Sequence, residues 1–417
     1  MTDNKKIMVL TSTFPKNDKD EVPSFVKDQI VNLSKEYKFL DFTVVAPETN
    51  FGTSDKIEAS DHFNEVRYHY FWPRRFEILI GKGIIPTIKK NKFAFLLVPF
   101  YFLSQLFVSY RVAKKIKPDI FYAHWFTPQG ITAYLLSIFT GKPFVFTTHA
   151  QDVIILRKIP IIGKLIAKKA ISKSSAWTCD SKSTELRLIK TIGETNFEAS
   201  KSLSVPMAVD SETYNSFTDL QYKEYENLNE NFNILFLGRF AEIKGVDYLL
   251  KLFQLINIKY PKVNLILGGD GNLLNEYKNQ IKKLKINEEN ITFTGYVDKR
   301  LKTYLFEKAD LFILPSILSS TGHKEGLPVV LLESLYFGKL IMASKYCNAE
   351  EVIEDKKSGF LFDPLNTKDS FNIFEEIYLS DPEVLKEVKS QSLETGKKYS
   401  SDYLNKVYYE HLFRDFI

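Results

Sequence analysis

At 417 residues, 44% of them hydrophobic and 26% charged, the chain has an ordinary globular make-up with room for two domains of about 200 residues; disordered, fibrous and disulfide-stapled miniature classes are excluded. Two cysteines, Cys179 and Cys347, give no disulfide framework and fit a reducing compartment. The formal net charge of +5 is unevenly placed: residues 1 to 208 hold 30 Lys and Arg against 19 Asp and Glu, a net of +11, so the remainder carries −6, and a basic half points to an anionic partner.

Met1 to Lys6 leads directly into Ile7-Met8-Val9-Leu10, an apolar run too short for a signal peptide, so a cytoplasmic protein is expected. Ile7 to Thr11 reads as a strand, and residues 24 to 36, with Phe25, Val26, Ile30 and Leu33 at helical spacing, as a helix. No Gly-x-Gly-x-x-Gly follows that strand, which argues against a dinucleotide-dependent oxidoreductase. Asp18-Lys19-Asp20 reads as a solvated turn, not a metal site. Strands follow at Asp41 to Ala46 and Val66 to Phe71.

Trp72 to Lys117 then carries ten basic residues against the single acid Glu77, and within it Phe93 to Val108 is apolar except for Pro99, Ser104 and Gln105. That run is short of the roughly 20 residues that cross a bilayer. A basic, aromatic-rich segment of this kind either lies in a membrane interface, where Lys and Arg meet anionic lipid, or is a core helix with solvated ends; the membrane reading is preferred. Residues 153 to 175 form a second basic stretch without an acid. No nucleic-acid partner is expected, because the aromatics sit inside apolar runs instead of alternating with the cations. Asp119 to Trp125 and Pro143 to His149 are buried strands that carry His124 and His149 to their carboxyl ends, where each is a packed histidine or a ligand. Ser175 to Asp180 is a further strand, and the polar run Ser211 to Asn231 marks the hinge.

In the second half, Asn233 to Phe240 is a strand running into Gly238-Arg239, and Lys244-Gly245 precedes the amphipathic helix Val246 to Ile256. Both cations belong at one crevice, in an order that lacks the Gly-Lys-Ser/Thr of a P-loop. Val263 to Gly268 is a strand, Gly268-Gly269-Asp270-Gly271 a plain turn into the helix Leu273 to Leu284, and Ile291 to Val297 a strand ending at Tyr296-Val297. After the buried strand Asp310 to Ser316 and a polar loop comes Glu325-Gly326-Leu327-Pro328-Val329-Val330-Leu331-Leu332-Glu333. It reads as a loop turning into a short helix that stops at Gly338, with Pro328 in the first helical turn. Gly326 has no side chain to block a phosphate, and the first amides of a helix lack intrahelical partners, so a nucleotide diphosphate suits this site. The helix has almost no polar face, which buries it together with Glu333. The two carboxylates are roughly 12 Å apart if the rise between them is fully helical; one then serves the sugar side of a diphosphate and the other the ribose side. The alternative for Glu333 is a structural tie to a neighbouring Lys or amide. Leu340 to Ser344 and Gly359 to Phe362 close the sheet.

Two glutamates in the setting Glu-Gly-Leu-Pro-Val-Val-Leu-Leu-Glu resemble the signature of retaining glycosyltransferases of family 4, of bacterial surface-polysaccharide type, over most of residues 230 to 364 and in pieces of the first half. The resemblance implies an α/β architecture of two Rossmann-like domains facing across a cleft (GT-B): residues 1 to 208 for the acceptor, 209 to 398 for the nucleotide sugar, and a C-terminal helix, 399 to 417, returning to the first domain. It assigns Arg239, Lys244, Gly326 and Leu327 to the donor diphosphate, Glu325 to the transferred sugar, Glu333 to the ribose, Tyr296 and Val297 to the neighbourhood of the base, and His149 to the sugar from the first domain. Ala150 replaces the glycine common after that histidine, Met207-Ala208 an asparagine and glycine, Lys16 to Glu21 a glycine pair, and Tyr346-Cys347-Asn348-Ala349 a glycine-rich turn.

The expected activity is therefore retaining hexosyl transfer from a UDP- or GDP-sugar, without cofactor or metal, to a glycan or polyprenyl-linked acceptor, by an enzyme peripheral to the inner face of the plasma membrane. Alternatives are an epimerase or phosphorylase on the same architecture, or an inactive membrane-docked binding protein.

Overall fold

The buried apolar runs assemble into two parallel sheets in a computed structural model, which describes residues 4 to 417 except 17–21, 49–56, 81–83, 85–86, 89–90, 150–160, 194–197, 219, 223–224, 226–230, 321 and 323, and except the side chains of 161–164 and 191–192. The chain divides into two compact units, Met1–Met207 with Asn405–Ile417, and Ala208–Leu404.

In the first unit, β1 (Lys5–Leu10), β2 (Leu40–Pro47), β3 (Ile57–Ala59), β4 (Asn64–Tyr68), β5 (Ile120–His124), β6 (Phe144–Thr148), β7 (Ala176–Cys179) and β8 (Ser202–Ser204) lie in the order β3-β4-β2-β1-β5-β6-β7-β8. Only the β3–β4 pair is antiparallel. The central strands are buried on both faces, as near-continuous apolar runs require. The apolar stretch after residue 92 is a 3₁₀ turn, Lys92–Leu97, running into the helix Val98–Ile116. The C-terminal helix, Ser401–Leu412, ends in this unit. Tyr408 Oη donates to the Pro206 carbonyl at 3.0 Å, Tyr409 stacks on Tyr37 at 4.1 Å, and Phe413 packs edge-on against Tyr122 at 5.3 Å.

In the second unit, β9 (Phe232–Leu237), β10 (Val263–Gly268), β11 (Ile291–Gly295), β12 (Leu311–Leu314), β13 (Leu340–Ser344) and β14 (Phe360–Phe362) form one all-parallel sheet in the order β11-β10-β9-β12-β13-β14. Counted within the unit this is the order 3-2-1-4-5-6, so the direction of winding reverses between β9 and β12. Crevices outside the carboxyl ends of the strands at such a switch point are where open α/β sheets take ligands. Helices Val246–Lys259, Leu274–Lys283, Lys299–Lys308, Val329–Tyr336, Thr367–Leu379 and Pro382–Lys397 supply apolar faces to two clusters, one on either side of the sheet. Several of these, Lys299–Lys308 and Pro382–Lys397 among them, are not evident as apolar periodicity in a polar stretch. Their ends are set by side-chain caps at Asp298 and Asp381.

Candidate functional site

The switch point is furnished by the two loops that leave β9 and β12. β9 ends into Gly238-Arg239, and a 3₁₀ turn, Glu242–Lys244, leads to Gly245, which takes φ +67° and starts the helix Val246–Lys259. A Cβ at Gly245 would stand 1.9 Å from the Pro315 carbonyl oxygen, so the absence of a side chain is what lets the two loops touch. Gly245→Ala is expected to destabilise the protein by about 3 kcal/mol or more, through both the left-handed backbone and the collision. A thermal melt beside wild type checks this. The loops are also laced directly: Ile317 N donates to the Ile243 carbonyl at 2.9 Å, and Glu242 accepts from Ser320 N at 2.7 Å.

Across this junction Lys244 Nζ meets Glu325 Oε1 at 2.5 Å, both side chains largely buried. Glu325 Oε2 accepts from Ser316 Oγ at 2.5 Å, and the Glu325 carbonyl accepts from the Asn348 side-chain amide at 3.2 Å. Arg239 is exposed at the end of β9, with no ion-pair partner among the described residues. Neither the helix start after Gly245 nor the one after Pro328 has a side-chain cap, so two sets of helical amides add positive potential where β9 and β12 end. Tyr296 is exposed just beyond β11. Val297 packs beside Gly268, where a Cβ would lie 3.2 Å from its Cγ2, and Leu327 is buried in the core below. The structure thus brings Lys244 and Glu325 into direct contact and puts Arg239, Tyr296 and Val297 at the same carboxyl edge of the sheet. Gly269 and Gly271 belong to turn packing: a Cβ on either would fall within 2.4 Å of the Gly238 or Phe240 carbonyl oxygen.

Pro328 is not in the first helical turn. Its ψ of 130° is extended, and the helix runs from Val329 to Tyr336. Glu325 therefore lies in the loop, and the helical estimate of its separation from Glu333 does not hold. Glu333 is buried and held by Lys302 Nζ at 2.8 and 3.0 Å and by the Tyr214 hydroxyl. Beside it, Lys299 meets Asp210 at 2.6 Å; burial alone would raise the Asp210 carboxyl, but Lys299 and Thr213 hold it below its ordinary value. Sequence missed Ser316, Asn348, Lys302 and Tyr214. Asn348 alone left a trace, as an Asn in the turn after β13, where it takes φ +55°. Lys324 pairs loosely with Glu350 at 3.7 Å, whereas its neighbour His323 lies outside the described residues.

His149 lies in the first unit, just past β6, with His124 at the end of β5. The two imidazoles stack with centroids 5.8 Å apart. Phe25 and Trp125 close on His149 at 5.2 and 4.6 Å, and Tyr122 on His124 at 4.5 Å. Burial pushes His149 down to about 3; burial and the neighbouring His149 push His124 well below the usual range. Both rings are neutral at physiological pH. The residues after His149, from 150 to 160, and the loop 17–21 lie outside the described residues. Among the described residues no group of three or more His, Cys, Asp or Glu side chains is placed to hold a metal ion. Cys179 and Cys347 are buried free thiols.

A family model described as "Glycosyl transferases group 1" matches residues 219–393, and one described as "Glycosyl transferase 4-like" matches residues 81–181. An uncharacterised glycosyltransferase of Haemophilus influenzae is 29% identical over 245 residues, which span 58% of this chain and 62% of that protein's length. A Campylobacter jejuni enzyme that adds N-acetylgalactosamine to an undecaprenol-linked glycan is 35% identical over 140 residues, 33% of this chain and 34% of its own length. Among solved structures, the Anabaena protein HepE in complex with UDP has a TM-score of 0.70 at 16% identity, covering 97% of this chain and 98% of that one. A sucrose-phosphate synthase from Thermosynechococcus elongatus has 0.72 at 15%, with the same coverage. At such identities the structural likeness speaks to the fold alone.

Proposed function

Because this chain belongs to the group 1, family-4-like glycosyltransferases with the GT-B fold, we propose that it moves a hexose, with retention at the anomeric carbon, from a nucleoside-diphosphate sugar to a hydroxyl of a glycan or polyprenyl-linked acceptor in polysaccharide biosynthesis. The observation that carries this reading is the Lys244–Glu325 contact at the switch point, with Arg239 exposed on the same edge and two uncapped helix starts behind it. A departing nucleoside diphosphate accumulates negative charge, and fixed cations with oriented amides stabilise it where water is scarce, without calling on a metal.

In this reading Arg239, Lys244 and the backbone at Gly326 and Leu327 take the diphosphate. Glu325 keeps a lone pair on each oxygen after its bonds to Lys244 and Ser316, and those accept from hydroxyls of the transferred sugar. Glu333, oriented by Lys302 and Tyr214, accepts from the ribose hydroxyls, and the end of β11, with Tyr296 and Val297, lies toward the base. His149, in the first unit, is a neutral imidazole able to donate or accept one hydrogen bond, and its assignment to the sugar rests on the family resemblance alone. No side chain is assigned as a nucleophile. The donor is a UDP- or GDP-sugar, and binding decides between the two bases. The enzyme is proposed to work in the cytoplasm at the membrane's inner face, where a polyprenyl-linked acceptor is found.

The test is calorimetry with UDP-, GDP- and ADP-sugars, followed by an assay of nucleotide release. Binding of one UDP- or GDP-sugar, and release that depends on an added glycan acceptor, are expected. Absence of binding by every donor overturns the enzymatic reading, and interconversion of the donor sugar without an acceptor would make the protein an epimerase.

A further inference from the structure

The helix Val98–Ile116 has two apolar faces with different fates. One is spent on the core of the first unit: Tyr101, Gln105 and Ser109 are fully buried, with Gln129 Nε2 donating to Tyr101 Oη at 3.2 Å. The other is presented outward. Phe93, Leu96, Phe100, Leu103 and Phe107 recur at intervals of three and four residues and are 80, 64, 50, 59 and 62% exposed. That stripe continues sideways into Phe139 of the neighbouring helix Ile131–Thr140, across a groove of about 480 Å³ lined by Leu103, Leu106, Phe107, Tyr110 and Phe139. At its other edge Phe71 packs on Phe100 at 5.0 Å and leads to Trp72, 82% exposed.

Cations rim this apolar face. Arg74 and Arg75 stand on the Trp72 turn and Lys92 at the start of the 3₁₀ segment, while Arg111, Lys114 and Lys115 close the far end, all exposed. Arg75 lies over Phe76 and Arg111 over Phe107, at 5.1 and 5.7 Å. The single acid of the segment, Glu77, is turned inward to His69 at 2.7 Å and to the Phe71 amide at 2.9 Å. An aromatic stripe edged by cations, with no outward acid among the described residues of Trp72 to Lys117, matches an anionic lipid surface. It does not match a second copy of the same face, which would set these cations against one another.

We propose that this face docks the protein on an anionic bilayer, with the helix lying in the plane of the interface and Phe93, Phe100, Leu103 and Phe107 among the acyl chains. Lys92–Ile116 is long and apolar enough to cross a membrane by composition. Its core face, however, is committed to the first unit, so the helix lies along the bilayer and does not span it.

The full chain is floated with vesicles of phosphatidylglycerol and phosphatidylethanolamine, and separately with phosphatidylcholine vesicles, at low and high salt and with no donor present. The transfer reading therefore stands or falls separately. Wild type is expected to float with the anionic vesicles, less so at high salt, and poorly with the neutral ones. Phe100→Ser with Phe107→Ser, and separately Arg74→Gln with Arg75→Gln and Lys92→Gln, are each expected to lower anionic binding at least about tenfold. All five side chains are exposed, and a melt verifies that the variants fold; Trp72→Ser, on a turn, provides a further variant with the same expected direction. Undiminished flotation of the folded variants overturns the proposal. So does a dimer in sedimentation that the phenylalanine variant dissociates while vesicle binding persists, and so does vesicle-bound protein that resists carbonate extraction as a spanning helix would.

Discussion

Lys244→Gln is expected to reduce kcat by about 10²- to 10³-fold while leaving donor affinity within a few fold, the signature of a charge that acts on the leaving diphosphate more than on the bound ground state. Glutamine keeps most of the side chain's length and can still reach Glu325, so the loop junction, held in addition by Ile317–Ile243 and Glu242–Ser320, should survive with little change in melting temperature. Arg239→Gln is the companion. With an exposed guanidinium and no ion pair among the described residues, it should lower turnover in the same direction and leave stability untouched. Single-turnover kinetics beside calorimetry separates the two quantities. Full activity in Lys244→Gln, or a loss confined to KM, contradicts the role given to this lysine.

Acidification should cost the first unit much of its stability, because His124 and His149 are buried neutral. In the unfolded chain a histidine takes up a proton near pH 6.5; in the folded protein His149 does so only near pH 3, and burial and His149 hold His124 low as well. Above about pH 7.5 neither state binds these protons, and the pair contributes no pH dependence. As pH falls from about 6.5 toward 3, the unfolded state gains protons that the folded state refuses. Unfolding is then favoured by an amount on the order of several kcal/mol. Urea midpoints measured at pH 7.5 and 5 check the sign. His124→Leu removes one buried base whose ring nitrogens have no hydrogen-bond partner among the described residues. Its midpoint should change less between those pH values than that of wild type; an unchanged slope shows that other groups govern acid stability.

The architecture was legible where the chemistry is local. Val263 to Gly268 and Leu340 to Ser344 were marked as strands by short, mostly aliphatic runs, and those are their observed limits. The arginine and lysine after β9 announced themselves by standing between a strand end and a helix start. The helix at Lys299–Lys308 did not, because its buried positions, Leu301, Tyr304, Leu305 and Phe306, are set among four basic residues and read as surface. At the site, Glu333 was rightly placed in a buried helix. Its holders, Lys302 and Tyr214, lie 31 and 119 positions away, beyond the reach of any spacing rule.

By itself the sequence determined which segments must be buried, which loops end in cations or a flexible glycine, and that one half is basic; these follow from side-chain transfer energies and backbone sterics, properties of a residue and its near neighbours. Only the tertiary structure decided that β9 and β12 lie side by side, so that Lys244 meets Glu325 across 81 positions of chain. It also decided which side of a largely apolar helix, Val98–Ile116, looks into the core and which looks out. Both outcomes depend on how distant surfaces compete for the same burial, and a stretch with large apolar residues on more than one side carries no local mark of the winner.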